Sequence, residues 1–125
     1  MKFMQTGPYP VEVGLSICPK DWAREMKRRG PKCHSHPFPD NVGAVTRFRT
    51  DNGACFMVVT FNAEFRRSTW IERVGAVAHE ATHVWQFIVE HINEEGTGWE
   101  VEACSIQWIT QWLLEQLEAA GWLKK

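Results

Sequence analysis

The chain has 125 residues, 44% of them hydrophobic and 23% charged, with a formal net charge of −1. That length fits one domain with a single buried core, and no apolar run approaches the eighteen residues a membrane span needs. The net charge is too small to name a partner by itself, and nucleic acid is not the expected one.

Charge is nevertheless uneven along the chain. Residues 1–67 hold eleven Lys or Arg against six acids, and residues 68–125 hold three against nine. The first residues, Met1-Lys2-Phe3-Met4-Gln5-Thr6-Gly7-Pro8, lack the apolar stretch of a signal peptide, so the expected compartment is the cytoplasm. Four cysteines, Cys18, Cys33, Cys55 and Cys104, are therefore expected as thiols. Seven tryptophans are many for this length, and Trp99, Trp108, Trp112 and Trp122 are expected in the core.

The elements follow in chain order. Val11 to Cys18 alternates weakly and reads as a short strand. Pro19 can open a helix that runs to Arg29 and stops at Gly30-Pro31. Residues 31–41 contain three prolines and read as an irregular loop. Val42 to Thr50 and Ala54 to Phe61 flank the turn sequence Asp51-Asn52-Gly53 and read as a hairpin.

From Thr69 to Ile92 the period becomes helical. Thr69 and Glu72 match a capping box, and Val74, Val77, Ala78, Ala81, Trp85 and Ile88 form one apolar stripe. After the polar loop Asn93 to Gly98, a last helix runs from Trp99 to about Ala120, with Gly121 as its C-terminal cap. Ile106, Ile109, Leu113 and Leu117 make its stripe. The order strand, helix, hairpin, long helix, long helix is that of a small α+β domain covering residues 1–125.

The chemistry is concentrated in His79-Glu80-Ala81-Thr82-His83. Histidines four apart on a helix leave the same side one turn apart, and two neutral imidazoles so placed can bind one Zn²⁺. Glu80 cannot easily be a third ligand from the next position, but it can hold a water and take its proton. With this composition, a chance match to the pattern has a probability of roughly 2%. The bland reading is two histidines on a solvated helix face. A third ligand is expected from Trp99-Glu100-Val101-Glu102-Ala103, where residues two apart point to nearly opposite sides, so only one carboxylate should bind. Glu102 shares the stripe of Ile106, Ile109 and Leu113. Glu100 has a competing role, since with Thr97 it matches a capping box.

His-Glu-Ala-Thr-His-Val-Trp-Gln, followed by Glu-Val-Glu-Ala, resembles the gluzincin metallopeptidases, in particular the minimal forms encoded by phages and prophages. The resemblance covers about residues 70–112, and the first third of the chain carries no matching motif. It implies a zincin-like fold with a short sheet, an active-site helix and a C-terminal helix carrying the third ligand. It also implies peptide-bond hydrolysis, with protein or peptide as substrate and expected partner. In several gluzincin groups the metal-binding Glu stands three before a small residue, as Glu100 stands before Ala103; this makes Glu100 the third ligand, with Glu102 the alternative. The residue four after that ligand is often polar in such families, and here it is Cys104, a departure.

Other features are weaker. The strand Ala54 to Phe61 is expected to align an extended substrate by strand addition. Tyr9, His34, His36 and His91 are candidates for oxyanion stabilisation. Cys18, Cys33, His34 and His36 have the ligand types of a second zinc site without its spacing. Arg24, Lys27, Arg28, Arg29 and Lys32, with Arg47 and Arg49, read as a solvated basic face. The rival functions are a nucleic-acid or protein-binding module with a structural metal, and an inactive zinc-binding scaffold.

Overall fold

A computed structural model describes residues 1–7, 9–50, 53–92 and 98–124. The fold is α+β, with a four-stranded mixed sheet and five helices among the described residues. The chain divides into two compact units, Met1–Glu64 and Phe65–Lys125.

The first unit is built on the sheet. β1 (Lys2–Gln5) pairs antiparallel with β2 (Val11–Ser16), and the sheet order is β1-β2-β4-β3. β3 (Gly43–Arg49) and β4 (Cys55–Phe61) are the expected antiparallel pair, with Phe48 opposite Phe56. Gly53 has φ +84°; the expected turn residues Asp51 and Asn52 lie outside the described residues.

Two features of this sheet depart from the sequence reading. β1 has no partner signal in its own four residues and exists through its pairing with β2. β4, in turn, is central: it pairs parallel with β2 on one side and antiparallel with β3 on the other. Both of its backbone edges are thus occupied, so strand addition on Ala54 to Phe61 has no free edge to use. The near-continuous apolar run Cys-Phe-Met-Val-Val-Thr-Phe is what a strand buried on both faces requires.

The parallel β2–β4 pairing needs a crossover, and α1 (Pro19–Arg29) lies within it. Proline at N1 opens this helix, and Gly30 at φ +110° ends it. Its inner face places Trp22 and Met26 against Phe48, Phe56 and Val58, with Phe3 and Phe38 at the margin. The Trp22 indole N–H donates to the His36 carbonyl at 2.8 Å, so burial leaves that group satisfied. Phe48 and Phe56 stack at 4.9 Å. Residues 31–41 are not wholly irregular, because Pro31–His34 form a short helix, α2, which sets Cys33 into this core.

A glycine is required at one strand position. Gly14 is the cross-strand partner of Phe3, and a Cβ there would lie 2.7 Å from the Phe3 ring. The ring covers the space a side chain would take. Above it the Arg29 guanidinium sits 4.7 Å from the Phe3 centroid and 4.1 Å from that of Phe56, with its Nε donating to Glu25 at 3.0 Å.

The short α3 (Ala63–Arg67) carries the chain into the second unit, a pair of long helices. α4 (Trp70–Ile92) opens with the expected capping box: the Thr69 N–H donates to Glu72 at 2.9 Å, and the Glu72 N–H donates to the Thr69 hydroxyl at 3.1 Å. Val77, Ala81, Val84, Trp85 and Ile88 are buried. α5 (Trp99–Ala119) buries Ile109, Leu113 and Leu117. It ends at Gly121, φ +78°, where the Trp122 N–H returns to the Leu117 carbonyl. Its N-cap is Gly98 with no side-chain cap, and Thr97 lies outside the described residues.

The expectation that the late tryptophans are core fails for two of them. Trp99 is 93% exposed and Trp108 is exposed as well. Trp108 is turned about 100° away from Ile109, off the stripe, whereas Trp99 lies in line with Leu117 five turns earlier, at the start of α5, where no residue is buried. The residues after α5 are tied back to α4. The Arg73 guanidinium, 8% exposed, donates to the Trp122 carbonyl at 2.8 Å and the Lys124 carbonyl at 2.7 Å. The Trp70 indole donates to the Leu123 carbonyl at 3.1 Å, and Phe65 stacks on Trp122. No described helix is long and apolar enough to cross a membrane.

Candidate metal centre

The centre lies within one helix. The buried stripe of α4 fixes its rotation, and the 100° step per residue then turns His79 and His83 to a flanking, more open face, while Glu80 turns inward. Glu80 is 5% exposed and His79 is exposed, as this geometry demands.

The two imidazoles converge by the same nitrogen. His79 Nε2 and His83 Nε2 are 3.1 Å apart, and one oxygen of Glu80 falls in the same group, with all three donor atoms within 4.8 Å of one another. Two nitrogens bound at 2.0–2.1 Å to one tetrahedral ion lie about 3.3 Å apart. The separation of the pair is thus close to the span a zinc ion would need. Imidazole and carboxylate are donors that suit zinc and several other divalent first-row metals. Among the described residues this is the one group of three such donors that converges.

Burial pushes the Glu80 carboxyl above its ordinary range, and the positive charge that His79 and His83 can carry opposes that rise. A carboxylate so placed is a better base than one in water, because desolvation raises its affinity for a proton.

Two neighbours orient His83. Its Nδ1 is 2.9 Å from Gln86 Oε1, and its ring stacks on Phe87 at 6.2 Å and 18°. The sequence pattern contains Gln86, as the last residue of His-Glu-Ala-Thr-His-Val-Trp-Gln, without assigning it a role. The signal was available, since a residue three after a ligand histidine on a helix shares its face.

Neither third-ligand candidate joins the group. Glu100 and Glu102 both lie exposed in the first turn of α5. Glu100 Oε1 accepts the Cys104 thiol at 3.4 Å, and this hydrogen bond, with the charge of the carboxylate, pushes the thiol pKa up. Glu102 lines a cavity of about 230 Å³ together with Thr82, Trp85, Gln86, Val89 and Ile106.

The other expected site residues are elsewhere. Tyr9, His34, His36 and His91 are not members of the group. The exposed His36 packs its ring edge-on against Phe48 at 5.0 Å, at the margin of the first unit's core. Cys33 is buried in that same core, and Cys18, Cys33, His34 and His36 do not gather as a second metal group. Comparison with protein-family models, curated proteins and solved structures finds no match to the chain.

Proposed function

We propose that the chain is a zinc-dependent metallopeptidase of the gluzincin kind, with a small zincin-like domain and protein or peptide as substrate. The observation that carries this reading is the convergence of one donor atom each from His79, His83 and the buried Glu80 within 4.8 Å, with the two Nε2 atoms 3.1 Å apart. His79 and His83 would hold the ion. When bound, the ion supplies Lewis acidity, which acidifies water and polarises a carbonyl. Glu80 takes the proton of the attacking water and returns it to the amine nitrogen as the C–N bond breaks.

The third donor in this reading is a carboxylate of the first turn of α5. The family resemblance supports Glu100. What supports Glu102 is its place in a cavity wall beside Gln86, the residue that touches His83. The same proposal puts the protein in the cytoplasm, in a phage-related setting.

Zinc content by elemental analysis tests it, on wild type, His79→Ala, Glu80→Gln, Glu100→Gln and Glu102→Gln. One zinc per chain is expected in wild type and Glu80→Gln, with loss in His79→Ala and in one of the two α5 variants. Hydrolysis of an unfolded protein substrate should fall by roughly 10²–10⁴-fold in Glu80→Gln, the usual worth of a general base. A chain that takes up no added zinc would sink the reading. Zinc retained with no hydrolysis in wild type would leave the inactive zinc-binding scaffold.

A further inference from the structure

The proposed centre has an asymmetry between its two histidines. His79 and His83 face each other at 3.1 Å through Nε2 on both sides, so in the metal-free protein one of these nitrogens carries the proton and the other accepts it. Which one does so depends on what lies at the far side of each ring. Behind His83, Nδ1 meets the Gln86 side-chain oxygen at 2.9 Å. An amide oxygen only accepts, so this contact requires a proton on Nδ1. A neutral ring protonated at Nδ1 keeps a lone pair on Nε2.

We infer that Gln86 is the positioning residue of the centre: its side-chain oxygen holds His83 as the Nδ1–H tautomer, with Nε2 already prepared as a donor. Phe87 restricts the same ring by stacking on it nearly parallel, at 18°. With His83 Nε2 unprotonated, the proton between the rings belongs to His79 Nε2. His79 is the histidine that must shift its proton to Nδ1 before both nitrogens can serve one ion, and His83 is ready. Groups that hold the outer nitrogen of a ligand histidine set its tautomer and basicity, and their loss commonly costs roughly 10–100-fold in metal affinity.

The inference rests on the metal-binding reading for its consequence and on the metal-free protein for its direct test. Gln86 is exposed, so its replacement should leave the melting curve unchanged. Gln86→Met keeps the length and removes the acceptor; Gln86→Glu keeps an acceptor and adds charge. In metal-free wild type, ¹⁵N NMR of the labelled histidines is expected to show His83 protonated at Nδ1 and His79 at Nε2. Gln86→Met should lose this preference and Gln86→Glu should keep it. Zinc affinity, measured by competition with a chromogenic chelator, should weaken roughly 10–100-fold in Gln86→Met and hold or tighten in Gln86→Glu. His83 protonated at Nε2 in metal-free wild type would overturn the inference, as would a Gln86→Met variant that binds zinc as tightly as wild type. If wild type binds no zinc, the peptidase reading falls, and the NMR result alone decides the role of Gln86.

Discussion

Trp22 and Trp99 are the same residue type at opposite ends of the burial scale, 2% and 93% exposed, and the two units they belong to explain why. In the first unit, α1 lies over a sheet whose pleat offers Phe48, Phe56 and Val58 on one face, and the indole N–H finds the His36 carbonyl. In the second unit, α5 buries only Ile109, Leu113 and Leu117, and its first half, with Trp99 and Trp108, stays in water. Aromatic content therefore says how much apolar area a chain carries, while the number of layers over each element decides how much of it is covered. The first unit uses its aromatics for packing. The second leaves Trp99 and Trp108 exposed and presents its polar chemistry on α4.

Truncation is the most direct way to break that comparison. Trp22→Ala should cost about 3–5 kcal/mol of unfolding free energy, since it empties a packed core, whereas Trp99→Ala should stay within about 0.5 kcal/mol. Chemical denaturation with matched slopes would check both. Equal effects would mean that the aromatic core of the first unit does not bear the stability assigned to it.

A smaller effect is expected from Arg73→Leu, which breaks the charged hydrogen bonds to the Trp122 and Lys124 carbonyls. Hydrogen bonds to a charged group are worth about 1.5–3 kcal/mol when buried. Both of these are only partly buried, and Leu recovers part of the loss by filling apolar space, so the net cost should be about 1–3 kcal/mol. Limited proteolysis should cut the segment after Gly121 sooner in this variant, while the α4 sites remain protected. An unchanged cleavage pattern would show that the guanidinium does not hold the C-terminal segment.

The smallest effect concerns acid. The hydrogen bond from Arg28, with a second from Arg29, holds the Glu25 carboxyl below its ordinary range despite partial burial. A lowered folded-state value stabilises the fold above the ordinary carboxylate range, and that contribution is lost as pH falls through the folded value. Glu25→Gln should therefore lower the melting temperature slightly at pH 7, by the equivalent of under about 1 kcal/mol, since Arg28 is largely exposed. The gap between variant and wild type should close in strong acid. A gap that widens as pH falls would refute the assignment.

Much of the second unit was legible before any fold was known. The capping box at Thr69 and Glu72, the stripe from Val74 to Ile88 and the cap at Gly121 are all local patterns. The box and the cap form, and the stripe buries Val77, Ala81, Trp85 and Ile88 while Val74 and Ala78 stay half-buried. His79, Glu80 and His83 belong to the same class, because the helix period alone brings residues four apart together. Gln86 could have been found by that rule too. The first unit was legible only in part: α1 and the β3–β4 pair carry local signals, while β1 and the α2 turn do not.

What the sequence determined by itself is therefore everything carried within a single helix or across one tight turn, where the spacing is set by covalent geometry. The tertiary structure decided the rest. It placed β4 between β2 and β3, a pairing between strands almost forty residues apart that no local pattern encodes. It left Trp99 and Trp108 in water because α5 buries side chains only from Ile109 onward, and Trp108 is turned off that stripe. It also kept Glu100 and Glu102 outside the converging donor group. Contacts between separate elements depend on how faces pack, and packing is a property of the assembled chain, not of any stretch within it.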